Sequence, residues 1–229
     1  MNEKLSIQET WDKIAFSFDK TRNQPWSQCI EFMEKTTLTK NFVDIGCGNG
    51  RHLIPSTNIF DYSIGVDLSK NLLKIINQKI QKQSIKNISL IHANAYNLPI
   101  KSNSVDTVLY IATLHNIKGR ENRIKSLQEI YRILAKNGKA MVTVWSKWQE
   151  KFRIDFLKKW FKEIGKYEFG DIDIYWRQHG LNIPRFYHLY GKNEFREDLL
   201  VSKFRIVKFD ELFISSKKYA DNFCAIIQK

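Results

Sequence analysis

Between Phe42 and Gly50 the chain reads Phe42-Val43-Asp44-Ile45-Gly46-Cys47-Gly48-Asn49-Gly50, a short apolar run that breaks into alternating glycines. An apolar run this short, stopped this abruptly, reads as a buried strand. The glycines make a turn that a ligand can approach closely, because no Cβ stands in the way. Downstream comes Gly65-Val66-Asp67-Leu68-Ser69, which reads as the next parallel strand, ending in an acid placed to take both hydroxyls of a ribose. A dinucleotide fingerprint requires G-x-G-x-x-G opening a helix around a pyrophosphate. Here the pattern is D-x-G-x-G-x-G, and the charge of Asp44 opposes a pyrophosphate but suits a cationic ligand end. A glycine turn used only for tight packing leaves the ribose acid, at its fitting distance, without a purpose.

The remaining periodicities extend that unit. Ile7, Trp11, Ile14, Ala15 and Phe18 fall at helical spacing, and after a break at Asn23-Gln24-Pro25 a second helix runs through Trp26, Ile30 and Phe32. Strands are expected at 42–45, 63–67, 88–92, 105–111 and 140–145, with a closing pair at 204–213 and 222–227. Ser69 is placed to cap the helix carrying Leu72, Leu73, Ile76 and Ile80. A long helix with Ile124, Leu127, Ile130, Tyr131 and Leu134 on one face is expected to stop at Asn137-Gly138. Such alternation predicts an α/β chain with a doubly wound, mostly parallel sheet of seven strands. It is organised as a single domain over 1–229, with N-terminal helices over 1–40.

Residues 146–203 do not follow the strand–helix pattern. Trp148, Trp160, Tyr175, Trp176, Tyr187 and Tyr190 are interleaved there with lysines and arginines. Rings that stack on bases, beside cations that take phosphates, suit an unpaired nucleic-acid loop. The segment follows the fifth strand, so it is expected as a lid covering substrate at the carboxyl ends of the sheet. A small helical core of its own is the alternative for any single ring.

The chain carries 37 basic against 24 acidic residues, a net charge of +13. A polyanionic partner accounts for that excess; dispersed surface charge is the other reading. Cys29, Cys47 and Cys224 are far apart, with no C-x-x-C pair, which favours free thiols in a reducing compartment over a disulfide framework or a metal site. No apolar stretch is long enough for a bilayer and the start lacks an apolar leader segment, so a cytoplasmic protein without membrane contact is expected.

The combination of Asp44 with Gly46, Gly48 and Gly50, followed by Asp67, resembles the S-adenosyl-L-methionine site of class I methyltransferases, a Rossmann-like fold. Trp11-Asp12-Lys13-Ile14-Ala15, Thr21-Arg22-Asn23-Gln24-Pro25-Trp26, Ile111-Ala112-Thr113-Leu114-His115 and Arg185-Phe186-Tyr187-His188-Leu189-Tyr190 narrow the resemblance. They are similar to motifs of the tRNA wobble-uridine methyltransferases that esterify a 5-carboxymethyl group at anticodon position 34. Three positions depart from that pattern: Asn94 stands where an acid is usual, Asn116 where a second histidine is frequent, and Tyr175 where proline is frequent.

The resemblance implies S-adenosyl-L-methionine as cofactor, held by Asp44, Gly46, Gly48, Gly50, Asp67, Leu68, Asn94, Ala95 and Ile111. It implies a tRNA anticodon loop as substrate and a small zinc-ribbon activator as partner in a heterodimer. Thr21, Trp26, Arg185 and Tyr187 are the expected substrate contacts. Arg22, His115 and Trp145 are the expected catalytic group. A carboxylate with a pKa near about 4 is already the nucleophile at neutral pH, so orientation matters more than proton transfer. Arg22 suits that task because a guanidinium fork matches a carboxylate; a phosphate contact or a packing salt bridge are its other readings. His115 either positions substrate or is a structural histidine bonded to backbone. Methylation of a small molecule and a non-catalytic cofactor-binding subunit remain the alternative functions.

Overall fold

Side chains alternate strictly along β1 (Asn41–Ile45), and that alternation places the two cores of the molecule. Val43 and Ile45 enter one apolar cluster while Phe42 enters the other. The same period of two sorts Val108 and Tyr110 from Leu109 and Ile111 in β4 (Val105–Ile111), and Val142 from Met141 in β5 (Leu134–Trp145). Strands buried on both faces need helices on both faces, which is the layering of a doubly wound sheet. The computed structural model describes residues 5–162, 165 and 167–229. The first four residues of the expected leaderless start, Met1 to Lys4, lie outside the described residues.

β2 (Tyr62–Asp67), β3 (Ile88–His92), β8 (Arg205–Leu212) and β9 (Asn222–Gln228) complete a seven-stranded sheet in the order β3-β2-β1-β4-β5-β9-β8. The strands from β1 to β5 are parallel; β9 runs antiparallel to both β5 and β8. The chain winds outward in one direction from β1 and in the other from β4. A crevice therefore opens between their carboxyl ends, at the switch point.

The helices follow from local chemistry. Ser6 and Glu9 form a reciprocal capping box at the start of α1 (Ile7–Thr21), and the Ser69 hydroxyl accepts from the Leu72 N–H to start α4 (Lys70–Gln83). α2 (Ser27–Glu34), α3 (Leu53–Ser56) and α4 cover the face with Phe42 and Leu109; α5 (Arg120–Ile133) covers the other. The expected helix stop at Asn137-Gly138 is corrected. α5 ends at Ile133, and Leu134 already pairs with Val105 as the first residue of β5. Asn137, at φ 67°, marks an irregularity inside β5, where the register with β4 shifts.

Between β5 and β8 the chain forms α6 (Arg153–Lys162), an antiparallel hairpin of β6 (Asp171–Trp176) and β7 (Ile183–His188), and α7 (Lys192–Val201). Phe156, Ile172, Ile174, Tyr187 and Leu189 build a satellite core, with Phe152 and Trp160 against it. α7 instead sends Phe195 and Leu199 into the larger core beside α5, so it belongs to the sheet's own layers. An ion network ties these parts together: Arg123 donates to Glu168 at 2.5 Å, while His188 bridges Asp171 and Glu194 at 2.7 Å each. The hairpin also reaches α1, where the Trp176 indole N–H donates to the Ser17 hydroxyl at 2.8 Å and Ser17 in turn pairs with His179.

Truncating one fully buried ring in each core tests this division. Phe195→Ala is expected to lower global stability by about 3–5 kcal/mol through lost burial and a residual cavity. Phe156→Ala is expected to loosen α6 and the hairpin while leaving the main unfolding transition nearer its original midpoint. Denaturant unfolding with hydrogen exchange on both variants checks it, and equal effects on the sheet amides would contradict the division.

Candidate functional site

The carboxyl ends of the parallel strands open into a cavity of about 510 Å³, within the range of small-molecule sites. Each strand delivers a wall. β1 supplies Gly46 and Gly48, β2 supplies Asp67 and Leu68, and β3 supplies Asn94 and Ala95. Ile111 and His115 follow β4, and Trp145 ends β5. α1 closes the roof with Trp11, Phe18 and Arg22, and the hairpin adds Trp176, Arg185 and Tyr187. Trp26 lies at the wall beside Arg51 and His52, so thirteen of the sixteen residues expected from sequence as site residues line one space.

The glycine turn is a backbone cradle. Gly46 and Gly48 have φ of 69° and 58°, the left-handed region that favours glycine. A Cβ on Gly46 would lie 2.2 Å from the Thr113 hydroxyl, so only glycine lets the turn sit on the loop after β4. Asp67 is buried, its carboxylate accepting from the Gly48 and Ser69 N–H groups at 2.8 Å each. Each oxygen keeps lone-pair capacity toward the cavity.

Asp44, Gly50 and Thr21 are not on the cavity wall. Strand alternation turns Asp44 to the α2–α4 face, where it is 2% exposed and its Oδ2 has no hydrogen-bond partner. Gly50 packs against Ile76 and passes the chain to α3, and the Thr21 hydroxyl is occupied by the carbonyls of Ser17 and Phe18. Arg51 and His52, which directly follow the glycines, were not singled out, while Asn49, Trp11 and Trp176 were read only as parts of motifs with no contact assigned to them. Their only sequence signal was closeness to motifs already singled out.

The backbone-bonded reading of His115 is the one the geometry shows. Its Nδ1 accepts from the Trp145 backbone N–H at 3.1 Å, and its ring also stands on the cavity wall, stacked on Tyr187 at 5.3 Å. Burial, reinforced by Arg185 and His188, lowers its pKa to about 3. With Nδ1 accepting, the proton sits on Nε2, so His115 is a neutral donor and not a base at physiological pH. Trp145 stacks on Tyr187 at 4.8 Å and on Phe152 at 5.7 Å, forming an aromatic wall on the β4–β5 side.

The polar groups left over fit a ligand of mixed charge. Asn49 Oδ1 and Asn116 Oδ1 are buried acceptors without partners on the cavity wall, and Arg185 Nε is a buried donor without one. Orphaned groups of this kind are costly unless a ligand satisfies them. An ammonium and a ribose suit the acceptors; a carboxylate suits the donor. These residues fit S-adenosyl-L-methionine at the β2–β3 side and leave the β4–β5 side for an acceptor. Glu168, Asp171 and His188 also come together, but Arg123 and Glu194 already engage them, and the cluster lies in the ion network behind the hairpin.

Comparison with known proteins agrees with the fold. Residues 43–142 match a family model described as a methyltransferase domain. Over 208 residues the chain is 30% identical to the tRNA (carboxymethyluridine(34)-5-O)-methyltransferase of Schizosaccharomyces pombe, covering 85% of this chain and 86% of that protein. It is 33% identical over 148 residues to the mouse tRNA (carboxymethyluridine(34)-5-O)-methyltransferase ALKBH8, covering 65% of this chain and 21% of that protein. The chain thus spans about a fifth of the length of the ALKBH8 relatives that it matches. A SAM-dependent methyltransferase of Methanosarcina mazei shares the fold with a TM-score of 0.73 at 18% identity, covering 90% of this chain and 98% of that one. A Haloferax volcanii methyltransferase, solved in complex with the Trm112 activator, does so with 0.67 at 15% identity, covering 97% of each.

The buried acids carry a pH signature. Burial, with the charge of Asp67 adding to it, raises Asp44 from 3.8 to about 7. An acid whose folded pKa lies above its unfolded value keeps a proton that the unfolded chain has lost, so stability falls as pH rises between the two values. Asp44→Asn is therefore expected to raise the melting temperature of the cofactor-free protein above pH 7, by roughly 2–4 °C for each kcal/mol regained. The gain should shrink as pH falls and vanish around pH 4. A gain independent of pH in thermal melts would show that the carboxyl group is not held protonated.

Proposed function

The chain belongs to the tRNA (carboxymethyluridine(34)-5-O)-methyltransferase family, and on that premise we propose that it methylates the carboxylate of 5-carboxymethyluridine at tRNA position 34, using S-adenosyl-L-methionine. One observation carries the reading. A single cavity offers an acid and an amide suited to adenosine at its β2–β3 end, and guanidinium and aromatic groups suited to an anionic base at its β4–β5 end. Adjacent strands set the two ends side by side, with the glycine turn of β1 between them.

When bound, the cofactor supplies a sulfonium methyl that passes to a carboxylate oxygen as the S–C bonding pair returns to sulfur, and no proton moves. Asp67 takes the ribose hydroxyls, and the Asn94 side-chain oxygen accepts from the adenine amino group. Leu68, Ala95 and Ile111 supply apolar surface around the base and the reacting end. Asp44 lies under the turn and off the cavity wall, so it makes no contact with the cofactor. On the acceptor side Trp145 and Tyr187 present ring faces to the uracil, and His115 offers a neutral Nε2–H. Arg22 at the mouth and Arg185 deeper in the wall supply the positive charge that an anionic acceptor requires. Trp26 flanks the same mouth.

The net charge of +13 supports contact with the phosphates of an anticodon loop, and the hairpin's aromatic and basic residues support its role as the substrate cover. The fold shared with the Trm112-bound methyltransferase supports a small zinc-ribbon activator pairing with a free sheet edge, of which β3 is one. Buried free thiols and the absence, among the described residues, of any helix long and apolar enough to cross a membrane suit a cytoplasmic setting.

Mass spectrometry of wobble nucleosides from cells lacking this protein is the direct test: the methyl ester should disappear and the free acid accumulate, and an unchanged ester level would overturn the reading. Two further outcomes are expected. Asp67→Ala should weaken S-adenosyl-L-methionine binding by roughly 1.5–3 kcal/mol in calorimetry, the scale of lost charge-assisted hydrogen bonds. Affinity for tRNA should fall steeply with added salt as counterions are released; a flat dependence would remove the electrostatic part of the case.

A further inference from the structure

Among the described residues, Arg185 is a cation without an anion. It is 8% exposed and stands on the cavity wall. Among the described residues it takes part in no ion pair. Its neighbours fix the guanidinium without neutralising it. Nη1 donates to the Tyr187 hydroxyl at 2.5 Å, and the rings of Trp176, Tyr187 and Trp11 lie 4.9, 5.0 and 5.7 Å from its centre. Aromatic faces hold a guanidinium plane in place, but they carry no countercharge. The Nε–Nη2 edge has no protein partner among the described residues, and Nε is buried. That edge is the planar fork that a carboxylate meets with two parallel hydrogen bonds.

Arg22 is built differently. Its side chain is exposed, and its Nη1 donates to the Thr21 carbonyl at 3.0 Å. It shares the Trp176 ring with Arg185 from 5.6 Å, at the mouth of the same cavity. An exposed, solvated guanidinium at a mouth suits a phosphate. A buried fork of fixed orientation suits the reacting group. The position of Arg185 points the same way, because Tyr187 links it by ring stacking to His115 and Trp145, at the end of the cavity away from Asp67.

We propose that Arg185 is the residue by which this site selects a carboxylate over its neutral amide or ester, its free Nε–Nη2 edge gripping one face of the acid while Arg22 contacts backbone phosphate. The inference rests on the acceptor being the carboxylate read above. It has a consequence for turnover. Methylation removes the charge that Arg185 holds, so the ester product loses its anchor at the moment it forms, and a finished tRNA competes poorly with an unmodified one. A rival source for the same anion is the cofactor's own carboxylate.

The experiment uses the full chain and tRNA carrying at position 34 either 5-carboxymethyluridine or its isosteric amide, 5-carbamoylmethyluridine. Binding of both and single-turnover methylation of the acid are measured for the wild type, Arg185→Gln, Arg185→Lys and Arg22→Ala. The wild type should bind the acid at least about 10-fold tighter than the amide, the lower end for charge-assisted bonds. Arg185→Gln should bring that ratio close to one and slow methylation at least about 30-fold, with S-adenosyl-L-methionine affinity, measured by calorimetry, unchanged. Arg185→Lys should restore part of the ratio and little of the rate, since an ammonium lacks the fork. Arg22→Ala should weaken both tRNAs together and keep the ratio.

An unchanged acid-to-amide ratio in cofactor-binding Arg185→Gln overturns the proposal. So does a loss of cofactor affinity with the ratio preserved, which would assign the anion to the cofactor. Should the wild type fail to methylate the acid, the reading of the reaction falls, while the binding ratio still decides the role of Arg185.

Discussion

Everything at the site depends on five parallel strands, the central ones buried on both faces, that end at one level. Parallel pairing forces each return through a crossover, so the connections after β1, β2, β3, β4 and β5 all emerge at the same rim. Side chains within the strands are used up by the two cores. Chemistry is therefore confined to the first residues beyond each strand: the glycine turn, Asp67-Leu68, Asn94-Ala95, the loop to His115, and Trp145. The alternation that makes the sheet stable also makes Asp44 a buried acid beneath the turn, although it precedes the glycine turn by only two residues.

The second constraint is electrical. Asp67 stands on one side of the cavity with Asp44 beneath the turn, where Arg51 lies close enough to act on it, while Arg22 and Arg185 stand toward the hairpin. Neither set is internally paired, and burial raises the acids' pKa values while lowering those of Arg51 and Arg185. A ligand pair with a cationic donor and an anionic acceptor satisfies both sides at once. Preorganised charge of this sort orients reactants without a general base, consistent with a His115 held neutral by burial and by the Trp145 N–H.

The parallel strands and the turn between them were legible in the sequence because each rests on a short-range pattern. Apolar runs, Gly46 and Gly48, the Ser69 cap and the closing acid Asp67 all sit within a few residues of the feature they specify. The end of α5 was misread for the same reason. Asn137-Gly138 is a strong local stop, yet the chain had already left the helix at Leu134, where pairing with Val105 outweighed the remaining helical period. Asp44 was misplaced because a motif shows order along the chain and not which face of a strand a residue occupies in the folded sheet. The split of the aromatic segment into a satellite core and a cavity wall was not legible either. It depends on which ring of β6 and β7 faces α1, a matter of tertiary contact. Arg51 and Trp176 acquire meaning only beside Arg22, which lies on a different element.

The latch between Trp176 and Ser17 joins positions 159 residues apart. The roof of the cavity is made early in synthesis and its far wall late, so a growing chain presents the glycine turn and Asp67 to solvent well before the hairpin arrives to meet α1. A nascent protein of this design has half a cavity, with its acids in contact with water and its aromatic wall not yet made. A product that ends before β6 would lack the hairpin, and without α7, β8 and β9 it would also lack part of the larger core that holds the sheet.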